Sequence, residues 1–194
     1  MNVALRTPSM SREQFLQWVQ RQEGRFEFDG RRPVPVTGAS RNHGLICHNI
    51  YAALRARLKG TGCVVLGPDA GVPTIGRAVR YPDALVTCAA GPGSDLLIAG
   101  VVLVIEVLSP TSERTDRIEK VREYFAVPSI RRDVLLEQTS AGATVFEKQE
   151  GAAEWTAGVA IAGETLRLPA LGIEIPIDEL YEGVELASES GEAG

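Results

Sequence analysis

The sequence predicts an α/β fold of the α+β type, in which helices flank a mixed central sheet and further antiparallel strands lie toward the carboxyl terminus. Two helical patterns near the start, a central block of apolar β-branched segments, and short strand-like segments continuing to about Ile175 predict this class. The chain has 194 residues, of which 44% are hydrophobic and 23% charged, as is typical of a globular protein. We expect one domain over residues 1–186 and a flexible tail over 187–194.

The amino-terminal segment predicts a helix followed by a hairpin. SREQFLQWVQRQ begins the helix, with Ser11 as N-cap and Gln14 in the capping-box position. RFEFDGRRPVPV then predicts two paired strands, because Phe26 and Phe28 alternate with polar residues and Asp-Gly is a turn signal. The prolines of PVP indicate that the second strand lies at a sheet edge.

A longer helix follows, because apolar residues recur every four positions and a glycine stands at the expected C-terminal cap. The stripe consists of Ile46, Ile50, Leu54 and Leu58, and the glycine is Gly60. Three strand segments then form the predicted sheet core: CVVLG from Cys63, VRYPDALVTC from Val79 and VVLVIEVLS from Val101.

A third helix is predicted over Thr111 to Ala126, beginning near Thr115. Its apolar stripe consists of Ile118, Val121 and Phe125, and Pro128 lies just beyond its end. The segments DVLLEQ and ATVFEK then predict further strands.

One carboxylate interrupts the most apolar strand. Glu106 lies in VVLVIEVLS, a run typical of a strand that is buried on both faces. A buried carboxylate requires a cation, a metal ion or several hydrogen-bond donors. A pair with a neighbouring arginine, or a strand end that emerges into solvent, explains Glu106 as well as a functional site does.

A second acid, Asp83 of YPD, lies in the preceding predicted strand. Pairing of the two strands would bring Asp83 and Glu106 to one rim of the sheet, where two carboxylates suit Mg²⁺ or Mn²⁺. Separate surface or ion-paired acids are the alternative. In DRIEK, Asp116 and Lys120 have the spacing of a surface salt bridge. Lys120 lies opposite the apolar stripe, so it serves a site only if the polar flank of this helix overlooks the sheet rim.

The charge of the chain is unevenly distributed. Residues 1–136 hold 18 Lys and Arg against 13 Asp and Glu, whereas residues 137–194 hold 2 against 12. Any nucleic-acid contact is therefore expected on the first part, where arginines cluster at Arg25, Arg31 and Arg32 and again between Arg114 and Arg132. We expect Arg131 and Arg132 to be solvated loop charges, with phosphate contact as the alternative.

The sequence has no apolar run long enough for a signal peptide or a membrane helix, and we expect a cytoplasmic protein with no membrane partner. Its three cysteines, Cys47, Cys63 and Cys88, are odd in number and widely spaced. This spacing argues against a disulfide framework and against a zinc cluster, so we expect three small buried hydrophobic residues.

Taken in order, RFEFDG, SRNH before a helix, YPDALVTC, IEVLSPTS, DRIEKVREY and a closing LYEGV resemble the bacterial Uma-two (Uma2) family of restriction-endonuclease-like proteins. The resemblance covers nearly the whole chain. It implies the restriction endonuclease-like fold of the PD-(D/E)xK nuclease superfamily. It further implies a metal-dependent endonuclease that uses Mg²⁺ or Mn²⁺ to hydrolyse phosphodiester bonds, with DNA as the expected substrate.

The resemblance also assigns residues. Asp83 and Glu106 resemble the two metal-binding acids, Glu27 of RFEFDG resembles an additional upstream acid, and Lys120 resembles the catalytic lysine. In the superfamily's usual pattern the lysine comes two residues after the second acid, a position occupied here by Leu108. His43 of SRNH matches a histidine common in the family; a histidine that hydrogen-bonds the backbone at the helix start is an equal alternative.

Two questions of function stay open at this point. A non-catalytic nucleic-acid or protein interaction module on the nuclease scaffold is the main alternative, because the strand lysine is missing and the carboxyl-terminal part is acidic. Metal affinity distinguishes the nuclease from the interaction module, because a pure interaction module need not bind Mn²⁺. A homodimer is expected if both strands of a duplex are cut, since two sites related by a two-fold axis commonly serve that purpose.

Overall fold

The computed structural model describes residues 10–36, 38–109, 115–149, 151–152 and 154–186, with the side chains of Thr115 and Asp116 excepted. Four α-helices lie within these ranges: α1 (Arg12–Val19), α2 (Arg41–Leu58), α3 (Val121–Phe125) and α4 (Ile177–Leu180). The strands are β1 (Phe26–Phe28), β2 (Pro33–Pro35), β3 (Val64–Leu66), β4 (Val72–Pro73), β5 (Val79–Arg80), β6 (Ala84–Thr87), β7 (Val101–Val107), β8 (Arg132–Leu136), β9 (Gly142–Glu147), β10 (Thr156–Ile161), β11 (Thr165–Leu168) and β12 (Ile173–Pro176).

The central sheet contains six strands in the order β10-β9-β8-β7-β6-β3. β7 and β8 are parallel, and the other neighbours are antiparallel, so the sheet is mixed as predicted. A second sheet has the order β2-β1-β5-β4, and β11 pairs with β12. The parallel pair requires a crossover, which carries α3 and, as shown below, one residue of the candidate site.

Local sequence signals explain the first two helices. Ser11 and Gln14 form the predicted capping box of α1. In α2 the Ser40 side chain accepts a hydrogen bond from the backbone N–H of His43 and so caps the first turn. The four residues of the predicted α2 stripe are buried and pack in the main core: Ile46, Ile50, Leu54 and Leu58.

The predicted hairpin also forms, with β1 and β2 antiparallel and β2 at the sheet edge. Asp29 Oδ1 accepts hydrogen bonds from the backbone N–H groups of Arg31 and Arg32. Gly30 follows with a φ of +87°, a conformation that favours glycine.

Strand β7 is buried on both faces, as its composition predicts. Leu103, Ile105 and Val107 share a core cluster with α2. Val104 lies on the opposite face, in a cluster with Tyr124 of α3. Since side chains alternate along a strand, Glu106 lies on the same face as Val104, under the crossover.

The predicted strand VRYPDALVTC is two strands in different sheets. β5 ends at Arg80 and β6 begins at Ala84, so Asp83 directly precedes a strand instead of lying within one. Pro82 lies in this break, and proline has no N–H for a sheet ladder. The segment YPD therefore carries the chain from one sheet to the other.

The predicted third helix begins with a hydrogen-bonding pattern other than that of an α-helix. Residues Thr115–Lys120 form a π-helical turn that leads into α3. The predicted stripe is wrong at Ile118, which is 62% exposed, whereas Lys120 is only 7% exposed. A π-turn closes i→i+5 hydrogen bonds and so changes which residues share a face. Residues 111–114 of the predicted helix range, the Asp116 side chain and the predicted tail at 187–194 lie outside the described residues.

The cysteine prediction is wrong for two of the three residues. Cys63 and Cys88 form a disulfide, with Cα atoms 4.0 Å apart. They flank the paired residues Val64 and Thr87 of β3 and β6. Strand register brings them together, which their 25-residue separation in the sequence does not reveal. Cys47 is a free, half-buried thiol.

The expectation that Arg132 is a solvated loop charge is also wrong. Arg132 begins β8, is only 6% exposed, and forms an ion pair with Glu147 of the neighbouring strand. Arg131 is half-buried. Among the described residues no helix is both long enough and apolar enough to span a membrane.

Candidate active site

Pairing of β6 with β7 brings Asp83 and Glu106 to one rim of the central sheet. Ala84 is opposite Ile105 in the ladder, so the preceding and following residues are neighbours across it. The backbone N–H of Val107 donates a 2.8 Å hydrogen bond to Asp83 Oδ2. The Asp83 carboxylate is thus held against the end of the strand that carries Glu106.

Glu106 is buried and has partners on the crossover. Its Oε1 atom accepts a 2.8 Å hydrogen bond from the Tyr124 hydroxyl and lies 3.2 Å from Lys120 Nζ. The π-turn places Lys120 on the inner face of the crossover, and Tyr124 follows one turn later in α3. Lys120 therefore provides a positive charge beside the buried Glu106 carboxylate.

Lys120 also joins Glu106 to the second sheet. Its Nζ lies 2.9 Å from Oε1 of Glu27, which projects from β1 and is only 5% exposed. The backbone N–H of Tyr81 donates to the same oxygen at 3.3 Å. The structure thus brings the four residues named from the sequence, Asp83, Glu106, Glu27 and Lys120, to one region between the sheets.

A second buried cation supports Glu27. Arg80 lies 3.2 Å from Glu27 Oε2 through one nitrogen and binds the Glu123 carboxylate of α3 through two others, at 2.8 and 2.7 Å. Burial lowers the pKa of Arg80, but these hydrogen bonds and the two carboxylate charges outweigh that effect, so its pKa is raised. Arg80 stays charged. Three glutamates thus face two cations in this network.

Tyr124 is a hydrogen-bond donor that stays protonated. Its side chain is fully buried, and burial together with the charges of Glu106 and Glu27 raises its pKa well above the usual value. The hydroxyl therefore orients Glu106 and does not serve as a base near neutral pH.

Three residues of α2 lie near Asp83. His43 Nε2 is 3.3 Å from Asp83 Oδ2, and Cys47 Sγ is 3.5 Å from His43 Nδ1. The Tyr51 hydroxyl donates a hydrogen bond to the Asp83 carbonyl. The backbone of His43 serves the helix cap, while its side chain contacts Asp83 and Cys47.

Cys47 is a member of this region that the sequence analysis missed. Burial raises the pKa of its thiol well above the usual range, and the charges of Asp83 and Glu106 raise it further. The signal in the sequence was the spacing of His43 and Cys47, four residues apart on a helix and so on one face.

Leu108 occupies the strand position where the superfamily pattern has lysine. It is 3% exposed and packs against Val121 and Leu135. Leu108 follows Glu106 by two residues and so lies on the same side of the chain. An apolar side chain fills this position, and Lys120 brings an ammonium group to Glu106 from the crossover instead.

Several side chains in this region carry potential metal-ligand atoms. Carboxylate oxygens are the ligands that Mg²⁺ and Mn²⁺ prefer, and Asp83, Glu106 and Glu27 supply them. His43, Cys47 and Asp83 also each offer one ligand atom, and these atoms lie within 4.8 Å of one another.

Comparison with known proteins identifies a family and a relative of this chain. The family model Uma2, described as "Putative restriction endonuclease", matches residues 12–178. The chain is 28% identical over 179 residues to the uncharacterized protein slr1290 of Synechocystis sp., a match that covers 91% of this chain and 94% of that protein.

The fold of the present chain is similar to that in the crystal structure of a protein from Anabaena variabilis described as a putative nuclease belonging to DUF820. The TM-score is 0.71 at 13% identity, and the match covers 89% of this chain and 98% of that one. This similarity confirms the predicted fold class. Since the family model spans most of the sequence, the chain belongs to the Uma2 family.

Proposed function

We propose that this protein is a divalent-metal-dependent endonuclease that hydrolyses phosphodiester bonds in DNA. The observation that carries the proposal is the position of Lys120, whose ammonium lies 3.2 Å from Glu106 and 2.9 Å from Glu27 beside the rim that holds Asp83. Two or three acids with one lysine is the group of side chains that the family resemblance assigns to catalysis. The family description supports the same activity.

In this proposal Asp83 and Glu106 hold Mg²⁺ or Mn²⁺, and Glu27 completes the ligand set or serves a second ion. When bound, the metal supplies Lewis-acid activation of the phosphodiester and of the attacking water. The Val107 N–H fixes the Asp83 carboxylate, and the Tyr124 hydroxyl fixes that of Glu106. These two hydrogen bonds hold the Asp83 and Glu106 carboxylates in place before substrate binds.

Lys120 has the complementary role. A buried ammonium beside the acids neutralises negative charge that develops on the phosphate, and it can orient the attacking water. Arg80 and Glu123 act indirectly: Arg80 donates a 3.2 Å hydrogen bond to Glu27, and Glu123 holds Arg80 by accepting hydrogen bonds of 2.8 and 2.7 Å from it. We further propose that the enzyme acts in the cytoplasm as a homodimer, whose two sites would cut both strands of a duplex.

Cleavage of supercoiled plasmid tests this proposal. We expect nicking by the wild type with Mg²⁺ or Mn²⁺ and none with a chelator, and loss of nicking in Asp83→Asn and Glu106→Gln. Glu182→Gln is the matched control, because Glu182 is an exposed acid remote in sequence from both residues. Circular dichroism checks that each variant is folded. Nicking by either active-site variant at the control rate would remove the assignment.

A second candidate function is a non-catalytic interaction module on the same scaffold. It is favoured by the internal pairing of the network, in which Lys120 contacts two glutamates and Arg80 contacts two as well. Such pairing satisfies buried charge without any ligand. Calorimetric titration with Mn²⁺ separates the two functions: the nuclease binds the ion and Glu106→Gln does not, whereas a pure interaction module shows no binding in either protein.

A further inference from the structure

The first half of α2 carries a histidine and a cysteine that face the same carboxylate. Cys47 Sγ lies 3.5 Å from His43 Nδ1, and His43 Nε2 lies 3.3 Å from Asp83 Oδ2. One ligand atom from each residue falls within 4.8 Å of the other two. The two short contacts use opposite nitrogens of the His43 ring, of which only one can bind a given ion, and the 4.8 Å grouping already counts one atom per residue. The three residues therefore form a candidate site that is distinct in composition from the three acids.

The ligand types select among metal ions. Thiolate, imidazole and carboxylate together suit zinc, whereas Mg²⁺ prefers oxygen ligands. A thiolate and a carboxylate also balance the two charges of the ion. Cys47 is the one thiol outside a disulfide, since the chain has three cysteines and the other two are joined to each other.

The three side chains are held in place by separate parts of the fold. The Val107 N–H and the Tyr51 hydroxyl fix Asp83 through its carboxylate and its carbonyl, respectively. His43 and Cys47 share one face of α2, whose buried stripe packs on the central sheet. A packed helix and a strand end therefore carry the three candidate ligands.

We infer that His43, Cys47 and Asp83 bind a borderline-soft divalent cation, for which zinc is the best match. Three protein ligands leave a coordination position open to water or to a phosphate oxygen. Binding releases the thiol proton to solvent, as metal binding by cysteine requires.

This site does not depend on the nuclease proposal, but one consequence does. Asp83 belongs to both ligand sets, so zinc and Mg²⁺ would compete for one carboxylate. If the proposed function holds, zinc at this site lowers Mg²⁺-dependent cleavage by the wild-type enzyme.

Cobalt(II) spectroscopy of the full chain tests the inference, because Co²⁺ substitutes for zinc and a cobalt–thiolate bond absorbs in the near ultraviolet. We expect this charge-transfer band in the wild type, its disappearance when Zn²⁺ is added, and its absence in Cys47→Ser. His48→Ala is the matched control, since His48 is the exposed histidine next to Cys47 on the same helix, and this variant should keep the band.

Zinc affinity gives a second measurement, made by competition with a chromophoric chelator. His43→Ala and Cys47→Ser should weaken Zn²⁺ binding by more than the roughly 10–100-fold that loss of an outer-shell partner costs. Zinc should also slow alkylation of Cys47 in the folded wild type. Cobalt binding without the charge-transfer band, or equal zinc affinity in Cys47→Ser and His48→Ala, would overturn the inference.

The inference and the proposed function fail separately. A charge-transfer band in a wild-type protein that does not nick plasmid with Mg²⁺ keeps the zinc site and removes the nuclease. Nicking with Mg²⁺ by a wild-type protein that shows no charge-transfer band keeps the nuclease and removes the zinc site.

Discussion

Lys120 is the cation that contacts two of the buried carboxylates of the site. It is 7% exposed and contacts Glu27 and Glu106, which come from different sheets. Removing the ammonium group would leave the buried carboxylates of Glu27 and Glu106 without the cation that both contact. Loss of one partner from a buried ion pair is far more destabilising than loss of a surface pair.

Lys120→Met is therefore expected to lower the free energy of unfolding by about 3–5 kcal/mol, as breaking a buried ion pair does. Urea denaturation measures this change. Where the variant remains folded, plasmid nicking should fall on the order of 10²–10³-fold, the usual effect of losing one group that stabilises developing charge. Lys59→Met is the control, because Lys59 is exposed at the end of α2. A Lys120 variant as stable as this control would contradict the ion-pair account.

The contacts of single residues also show what sequence reasoning could and could not reach. Motif resemblance named Asp83, Glu106, Glu27 and Lys120, and the structure places them in one region. Cys47 was missed because it was classed as a small hydrophobic residue from the spacing of the cysteines alone. Its position beside His43 becomes evident only once α2 is treated as a helix with two chemically active residues on one face.

At the level of secondary structure, regular hydrophobic periodicity predicts the helices and strands correctly, but it does not reveal where that periodicity is interrupted. The four-residue stripe of α2 and the β-branched run of β7 identify those elements correctly. The π-turn breaks the helical period, so that Ile118 faces solvent and Lys120 faces the site. The break at Pro82 divides one apparent strand between two sheets. Both interruptions adjoin the candidate site.

The Cys63–Cys88 disulfide joins β3, at the edge of the central sheet, to its neighbour β6. Thiol titration of the denatured, non-reduced protein should therefore detect Cys47 alone, and titration after reduction should detect three thiols. The chain-entropy relation for a loop of this length predicts a loss of about 3–4 kcal/mol in stability on reduction. Cys47→Ser controls for the free thiol. Three reactive thiols before reduction would exclude the disulfide.

For the molecule as a whole, the charge distribution predicts where the proposed DNA substrate would lie. The acidic balance of residues 137–194 repels phosphate, whereas the exposed residues Arg31 and Arg32 lie on the turn that follows β1, the strand of Glu27. A duplex that reaches the site is therefore expected to contact this turn. Arginine contacts to phosphate weaken as salt rises, because each one releases condensed counterions.

The double variant Arg31→Ala, Arg32→Ala should accordingly weaken DNA binding and reduce the slope of log K against log salt by up to about 2. Fluorescence anisotropy at several salt concentrations, with a chelator to prevent cleavage, measures both effects. Arg167→Ala is the matched control: Arg167 is also exposed and pairs with Glu174, as Arg32 pairs with Asp29, but it lies in the acidic part of the chain. Equal slopes in the two variants would place the DNA elsewhere.

The π-turn also bears on how such a site can diverge among related proteins. A lysine on the same strand as its partner acid is held close to a separation of two residues, because inserting one residue would turn it to the other face and inserting two would move it along the strand. Here the lysine follows Glu106 by 14 residues, across a connection between two strands. Connections tolerate insertion and deletion far better than strands do. Relatives can therefore preserve this arrangement in space while losing any constant interval in sequence, and a search for a fixed-length motif would overlook them.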